Sequence, residues 1–559
     1  MNKIIIYQLF PRLFGNMNEA TVKNGSIAEN GAGKLAFFTQ SLLGKIKDLG
    51  ITHIWYTGVI EHATKTDYSR YGIRRDHPDI VKGKAGSPYA IKDYYDIDPD
   101  LADKIPERMA EFENLVRRTH EAGMKVIIDF VANHVSREYN SDARQPYVRD
   151  LGQDDNTSVA FHAGNNFYYI PGCPLSPDFD MPGESFAYGE FPAKATGNDC
   201  FTPCPGKGDW YETVKLNYGV DYACGRATHF KPIPGTWKKM LDILHFWAAK
   251  GIDGFRCDMA EMVPVEFWGW AIPQLKKEYP LVFIAEVYNP AEYGNYLHKG
   301  HFDYLYDKVG LYDTLRDVIT HRKPAAAITQ CWQSIEGIQH QMLNFLENHD
   351  EQRIASSFFA SDARRGFPGM IVAALMNTNP VMIYNGQELG EKGMDDEGYS
   401  GTDGRTSIFD YWSMESVRNW LSGHHSARQR SLRNAYRQLL NIAATEPAIV
   451  HGAFYDLMYA NMSNSSFNPG RSYAFLRKHE KDVILCAVNF DDAERNIHIY
   501  IPPEAFAALG FIDNAPASYT DLWTGQTSIA TLTAAYPYTL TLPAQGGRQL
   551  RFRYDLQPN

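Results

Sequence analysis

Four acidic residues of this chain each follow a short apolar run. They are Asp129, Asp258, Glu286 and Asp350. A single acid in such a position is usually a helix cap or a solvated residue, but four at equivalent positions favour a shared site. Carboxyl groups that face one another in a cleft can act as nucleophile, general acid or general base. These residues are therefore the first candidates for chemistry.

The segment GFRCDM, residues 254–259, adds a directional argument. Side chains of a strand alternate between faces, so Arg256 and Asp258 share one face while Cys257 points to the other. Arginine beside Asp258 keeps that carboxyl group ionised, and the apolar neighbours of Glu286 favour its protonated form. One ionised and one protonated carboxyl group are what glycoside hydrolysis uses. The alternatives are an ion-pair network that ties strands together and, for Asp350, a loop cap.

The surrounding sequence repeats one pattern, an amphipathic stretch followed by a short apolar run. This pattern is typical of alternating helices and strands. Near-continuous apolar strands with helices between them favour a closed (β/α)₈ TIM barrel over the alternative, an open doubly wound sheet. The eight candidate strands lie in KIIIYQLF, ITHIWYTG, MKVIIDFVANH, IDGFRCDM, LVFIAEVY, HFDYLYDK, QMLNFLENHD and VMIYNGQELG.

Two regions interrupt this pattern. Residues 135–211 are rich in Gly, Pro, Asn, Asp and aromatic residues without clear periodicity, which predicts an irregular domain inserted after the third strand. Residues 445–559 contain alternating segments such as SYAFLRK and VILCAVNF, which predict a C-terminal all-β sandwich. Residues 1–134 and 212–444 would then form the two parts of the catalytic barrel.

Four short segments resemble, in order, the signature sequences of the α-amylase family, glycoside hydrolase family 13. They are DFVANH (129–134), GFRCDMAEM (254–262), EVY (286–288) and FLENHD (345–350). Two further segments, YQLFPRLF and VMIYNGQELG, extend the resemblance over nearly the whole chain. The resemblance implies a retaining double-displacement mechanism on α-1,4-glucosidic bonds of starch- or glycogen-derived glucans or maltooligosaccharides, with no cofactor required.

The resemblance also implies the catalytic roles. Asp258 would be the nucleophile that forms a covalent glycosyl-enzyme, and Glu286 the acid that protonates the leaving oxygen. Asp350 would stabilise the transition state by binding hydroxyls of the distorted ring. Arg256 would orient and ionise Asp258. A retaining mechanism places the two reacting carboxyl groups about 5 to 5.5 Å apart.

Three further residues would bind substrate if the resemblance holds. His134 and His349 would hydrogen-bond the sugar that precedes the cleaved bond. Tyr89, in SPYAIKDYYDIDP, resembles the family's stacking tyrosine, although Pro88 stands where the family often has Gly. Aromatic residues of the inserted segment are sugar platforms or core residues: Phe167, Tyr168, Tyr169, Trp210 and Tyr211.

Calcium is possible but is not expected at the family's usual site. Many members hold Ca²⁺ between the Asn of the first signature, here Asn133, and an Asp of the inserted domain. The segment TVKLN, residues 213–217, resembles a fifth signature in the form that carries Lys at the position of that Asp. The ammonium group of Lys215 would compete with the cation, so we expect no metal there.

Composition excludes several classes of protein. The chain has 55 Lys+Arg against 66 Asp+Glu, a net charge of −11, which argues against nucleic acid and anionic membranes as partners. The apolar run Ile4–Phe10 is too short to span a bilayer. Seven cysteines in a long chain favour a reducing compartment. We therefore expect a cytoplasmic protein, or a secreted one whose signal peptide has been removed.

The sequence leaves the fate of the covalent intermediate open. Water as acceptor would make the protein a hydrolase, whereas a sugar hydroxyl would make it an α-glucanotransferase. The segment Met259–Met262, which follows the nucleophile, departs from the Lys-His pair common in typical α-amylases, and this weakens the case for hydrolysis within long chains. A catalytically silent carbohydrate-binding or scaffold relative is a minor alternative, because all three carboxylates are present. The preference between α-1,4 and α-1,6 bonds and the oligomeric state are not determined by the sequence.

Overall fold

The computed structural model describes residues 3–181, 187–394 and 398–554. Within these ranges one sheet has eight strands, and every pair of neighbours is parallel. A parallel bridge between Asn344 and Val381 joins the last two neighbours and closes the sheet into a barrel. The strands are β1 (Ile5–Leu9), β2 (His53–Tyr56), β3 (Lys125–Val131), β4 (Gly254–Asp258), β5 (Val282–Ala285), β6 (Tyr304–Tyr306), β7 (Met342–Leu343) and β8 (Val381–Tyr384). The predicted (β/α)₈ barrel is confirmed.

Helices connect most of these strands. Two of them end at glycines that the sequence pattern predicts as helix stops: Gly123 and Gly251 have φ of +75° and +85°, in the left-handed region that favours glycine. The last long helix begins with a capping box formed by Ser426 and Gln429. The principal helices are α1 (Gln40–Lys47), α2 (Arg108–Glu121), α3 (Gly235–Ala248), α4 (Val265–Lys276), α5 (Asp313–Ile319), α6 (Ala327–Ser334), α7 (Phe367–Leu375), α8 (Glu415–Leu421) and α9 (Ala427–Thr445).

The barrel strands bury both of their faces. Outward-facing residues such as Phe255 and Cys257 are fully buried against the helices. The inward-facing apolar residues form a separate cluster that fills the barrel interior, which is the packing expected of a small closed barrel. Its strand members are Ile6, Trp55, Ile127, Ile284, Tyr306, Leu343 and Met382. This rigid interior supports the polar residues at the strand ends.

Two long connections cover the carboxyl ends of the strands. Between β2 and α2, Ile60–His62 pairs antiparallel with Ile91–Ile97; the sequence pattern did not indicate this hairpin. After β3, His134–Ser136 pairs with Thr213–Lys215, and these two strands bracket the inserted segment. Within the inserted segment, Tyr169–Ile170 pairs with Ala193–Lys194.

The C-terminal region is built mainly of β-structure. One six-stranded antiparallel sheet and one two-stranded sheet form it within the described residues. The two sheets meet through Tyr538 and Phe552, whose ring centroids lie 5.6 Å apart. The strands are β9 (Ala453–Asp456), β10 (Ser472–His479), β11 (Asp482–Asn489), β12 (Arg495–Ile499), β13 (Pro516–Asp521), β14 (Thr527–Thr531), β15 (Tyr538–Leu542) and β16 (Gly546–Arg553). A short helix, Pro503–Leu509, interrupts them.

In the part of the chain that the structure describes, no helix combines the length and the apolar character needed to cross a bilayer.

Candidate active site

Six of the seven predicted site residues line one cleft of about 310 Å³ at the carboxyl ends of the barrel strands. They are Tyr89, His134, Asp258, Glu286, His349 and Asp350. The seventh, Arg256, is fully buried beneath the cleft. The other lining residues are Lys82, Ser87, Trp210, Glu212, Thr213, Met259, Tyr288 and Phe409.

Arg256 connects the carboxyl groups of three strands. Its Nη1 lies 2.8 Å from Asp258 Oδ1 and 3.4 Å from Asp129 Oδ1, and its Nη2 lies 2.8 Å from Glu286 Oε2. Its Nε donates to the hydroxyl of Tyr306 at 3.1 Å. The planar guanidinium group suits this task because it presents several donors in fixed directions.

Strand register explains why these groups meet. Arg256 pairs with Asp129 across the β3–β4 ladder. Cys257 pairs with Ala285 across the β4–β5 ladder, so the next residues, Asp258 and Glu286, come to the same level. Parallel strands have all their carboxyl ends at one rim, which is why residues far apart in sequence share this site.

The surroundings of Asp258 and Glu286 favour different protonation states. Burial raises the pKa of Asp258, but the charge of Arg256 and its hydrogen bond to Oδ1 oppose this rise and stabilise the carboxylate. Burial also raises the pKa of Glu286; Arg256 opposes this rise and the negative charge of Asp258 adds to it. The hydrogen-bonded cation thus stabilises charge on Asp258, while the charge of Asp258 disfavours a second charge on Glu286. We assign the proton of the pair to Glu286 on this basis.

The turn after β4 also positions Glu286. Met259 has φ of +41°, an uncommon left-handed conformation for a residue other than glycine. Its backbone N–H donates to Glu286 Oε2 at 2.8 Å. The hydroxyl of Tyr288 contacts the other oxygen, Oε1. Both oxygens of this carboxyl group therefore have partners.

Asp350 and His349 form the side of the cleft that follows β7. His349 Nε2 lies 3.1 Å from Asp350 Oδ2, and its Nδ1 lies 2.9 Å from Gln8 Nε2. Burial and Arg256 lower the pKa of His349 well below its usual value, so the ring is neutral. Enclosure in the cleft and the neighbouring acidic groups of Glu286 and Asp258 raise the pKa of Asp350. Tyr89 stacks on His349 with a ring separation of 5.0 Å.

His134 lies on the side of the cleft formed by the inserted segment. Its ring is 5.2 Å from that of Trp210. Burial, together with Lys215 and Lys82, lowers the pKa of His134 to about 3, which keeps this ring neutral as well. Lys82 and Glu212 form an ion pair of 2.9 Å in the wall of the cleft.

The other aromatic residues named in the inserted segment are at most 7% exposed, so core packing accounts for them. They are Phe167, Tyr168, Tyr169 and Tyr211. Trp210 differs because it lines the cleft.

Sequence reasoning missed several residues that shape the site. Gln8 is fully buried in β1. A polar residue inside an apolar run could have indicated that this side chain has a role in the site. Tyr288 and Tyr306 gave no such signal, since tyrosine is common in buried strands. The ion pair between Lys82 and Glu212 joins segments 130 positions apart in the sequence, which no local pattern indicates.

Lys215 lies where the inserted segment meets the barrel. Its Nζ contacts Asn133 Oδ1, lies 2.6 Å from Asp199 Oδ1 and donates to the carbonyl oxygen of Met262 at 3.1 Å. The side chain is 2% exposed. The ammonium group already occupies the space among these oxygen atoms, and a Ca²⁺ ion beside it would meet its positive charge. These residues therefore do not fit a metal ion.

Comparisons with known proteins agree with this architecture. The family model for the alpha-amylase catalytic domain matches residues 8–161 and 306–438, just over half of the chain. Alpha-amylase 2 of Dictyoglomus thermophilum is 23% identical over 528 residues, which cover 93% of this chain and 72% of that protein. A cyclomaltodextrinase from a Bacillus species is 23% identical over 500 residues, which cover 88% of this chain and 73% of the relative. The crystal structure of the maltogenic alpha-amylase AmyB from Thermotoga neapolitana matches with a TM-score of 0.63 and 19% identity, and the match covers 99% of each chain.

The fold and the relatives define the class of protein as an alpha-amylase-type glycosidase. The chain belongs to the alpha-amylase family, because the catalytic-domain model matches more than half of it. The resemblance of the chain to the α-amylase family is thereby confirmed.

Proposed function

We propose that this protein is a retaining glycosidase that cleaves α-1,4-glucosidic bonds of starch- or glycogen-derived glucans and maltooligosaccharides. One observation carries the proposal: the two Nη atoms of Arg256 each lie 2.8 Å from a different carboxyl group, those of Asp258 and Glu286. The pair shares one cleft, and the surroundings favour charge on Asp258 and a proton on Glu286. Double displacement requires this division of roles.

In the first step Asp258 attacks the anomeric carbon and Glu286 protonates the departing glycosidic oxygen. Arg256 keeps Asp258 ionised until Asp258 forms its bond to carbon. The positive charge of Arg256 then stabilises Glu286, which has become a carboxylate. Asp350 binds ring hydroxyls of the distorted sugar, and the neutral His134 and His349 hydrogen-bond the same sugar. Tyr89 packs its ring against the sugar face.

In the second step the acceptor oxygen attacks the anomeric carbon of the glycosyl-enzyme while Glu286 takes its proton. The bond between that carbon and Asp258 breaks and releases the Asp258 carboxylate. Water gives hydrolysis and a sugar hydroxyl gives glucan transfer, so an α-glucanotransferase is the second candidate. Lys82, Glu212 and Trp210 form the cleft wall beside His134, where an oligosaccharide acceptor or product would contact them.

Chromatography of the products from maltoheptaose tests the proposal. We expect shorter oligosaccharides from the wild type, and longer ones in addition if transfer occurs. Asp258→Asn should lower the rate by about 10⁴-fold or more, because it removes the nucleophile while keeping the shape of the side chain. A wild type that leaves maltoheptaose intact would refute the substrate assignment. If Asp258→Asn were as active as the wild type, the activity would come from a contaminating enzyme. The protein itself would then be the catalytically silent, carbohydrate-binding relative.

We further propose that no metal is needed at the junction between the inserted segment and the barrel. The ammonium group of Lys215, with Asn133, Asp199 and the carbonyl group of Met262 around it, supplies the positive charge that a cation would otherwise bring. Location in the cytoplasm stays a prediction from the cysteine usage.

A further inference from the structure

The two oxygens of Glu286 differ in their surroundings. Oε2 accepts the N–H of Met259 at 2.8 Å and lies 2.8 Å from Nη2 of Arg256. Both partners are donors that cannot accept a proton in return. Oε1 faces the hydroxyl of Tyr288, which can either donate or accept. The transferable proton of Glu286 therefore resides on Oε1.

Tyr288 is placed to respond to that proton. It follows β5 two residues after Glu286, is half-buried, and lines the cleft. Its ring packs against the cluster in the barrel interior, which limits where the hydroxyl can move. Rotation of the O–H bond alone changes it from acceptor to donor.

We propose that Tyr288 is the positioning residue of the catalytic acid: its hydroxyl directs the Oε1 proton of Glu286 toward the cleft and stabilises the carboxylate left behind. This inference rests on the proposed function. Before reaction the Oε1–H group donates to the Tyr288 oxygen. As the bond between the anomeric carbon and the glycosidic oxygen breaks, its electron pair passes to that oxygen, which takes the proton from Oε1. An oxygen of Asp258 forms the new bond to carbon, and the Tyr288 hydroxyl turns to donate to the new carboxylate.

The hydrogen bond makes Glu286 a stronger acid, because it stabilises the charged product of proton transfer. It lowers the pKa of Glu286, as do Arg256 and the Met259 N–H group, against the raising effects of burial and Asp258. Removal of the hydroxyl should therefore raise that pKa. The other ionisable groups around Glu286 are Arg256 and Asp258 on β4, His134 after β3, Tyr306 on β6 and Asp350 after β7.

Tyr288→Phe tests the inference, because it keeps the ring and removes only the hydroxyl. The measurement is kcat/KM, which reports steps up to formation of the glycosyl-enzyme. It is made with maltotetraose and with 2-chloro-4-nitrophenyl α-maltotrioside, whose phenol leaves with little need for protonation. We expect kcat/KM to fall about tenfold with maltotetraose and to change by less than about twofold with the aryl glycoside. The alkaline limb of the pH profile of kcat/KM for maltotetraose should move up by about one pH unit.

A matched control is Tyr296→Phe. That buried hydroxyl donates to the carbonyl oxygen of Val263 at 2.9 Å and lies outside the catalytic machinery. We expect this variant to keep the wild-type ratio of the two kcat/KM values. Circular dichroism melting curves of both variants check that they fold.

Two results would overturn the inference. An equal loss with both substrates would assign Tyr288 to sugar binding, and unchanged values with both would leave it without a role in proton transfer. Failure of the proposed function gives a different result: the wild type itself would cleave neither substrate.

Discussion

Two buried cations of this molecule, Arg256 and Lys215, hold oxygen atoms from distant segments, yet their surroundings differ in charge. Arg256 meets three carboxyl groups, those of Asp129, Asp258 and Glu286. Lys215 meets one carboxylate, that of Asp199, and two neutral oxygen atoms. The catalytic cleft thus has more acids than cations, and the junction has one of each.

The difference explains what each site can do. Carboxyl groups that outnumber the cation repel one another, and one of them keeps a proton that it can donate. Lys215 and Asp199 pair one positive with one negative charge, so this site has no proton to donate. Their ion pair instead holds the inserted segment on the barrel. The two residue types fit these two roles. The guanidinium group of Arg256 can bind several carboxylates at fixed angles, whereas the ammonium group of Lys215 is a compact charge.

Arg256→Lys should have the largest effect. One ammonium group cannot reach Asp258 and Glu286 with the geometry of two Nη atoms, so both carboxyl groups lose alignment. We expect kcat/KM for maltoheptaose to fall about 10²- to 10³-fold. Arg477→Lys is the control, because Arg477 is also buried but binds backbone carbonyl groups near the C-terminal sheet. A similar loss of kcat/KM in both variants would show that Arg256 acts through stability alone.

Lys215→Met should act on stability rather than on chemistry. The change removes the cation beside Asp199 and leaves the amide oxygen of Asn133 without its partner. The unsatisfied oxygen of Asn133 costs about 1 to 3 kcal/mol, and the loss of the ion pair adds less than for a fully buried pair, because Asp199 is 31% exposed. We expect a lower midpoint of denaturant unfolding, with Lys238→Met at an exposed position as the control. An unchanged midpoint would contradict the structural role.

The pH dependence of kcat/KM should be bell-shaped. Activity is gained as Asp258 ionises and is lost as Glu286 gives up its proton with rising pH. Because burial raises the pKa of both groups, we expect both limbs at higher pH than for free carboxyl groups. Rates measured between pH 4 and 10 with maltotetraose check this. An alkaline limb that coincides with that of a free glutamic acid would contradict the assignment of the proton to Glu286.

Chelation should have the smallest effect. If the ammonium group of Lys215 replaces a cation, dialysis against EDTA leaves the melting temperature and the activity of the wild type unchanged. Lys215→Asp supplies the contrast, because it would place two carboxylates beside Asn133 and create a site for Ca²⁺. Added calcium should raise the melting temperature of this variant only. A loss of stability in the wild type on chelation would show that a metal is bound elsewhere.

Much of the fold followed from local patterns. Apolar runs and glycine stops predicted all eight barrel strands, and alternating segments predicted the C-terminal sheets, because periodicity reports which faces of an element are buried. The hairpin formed by Ile60–His62 and Ile91–Ile97 was missed since its strands are separated by a long irregular stretch. The proposed domain limits, residues 1–134, 135–211, 212–444 and 445–559, stay predictions.

The sequence by itself predicted the residues that are proposed to carry the chemistry. Asp258 ends β4, Glu286 directly follows β5 and Asp350 lies in the segment after β7. The period of a strand places Arg256 on the same face as Asp258. Only the tertiary structure decided the partners of these groups. The register between β4 and β5 gave Arg256 two carboxyl groups, the left-handed turn at Met259 directed an N–H group to Glu286, and the packing of Tyr288 set a hydroxyl against the other oxygen. These contacts depend on distances across the barrel, which one-dimensional patterns do not contain.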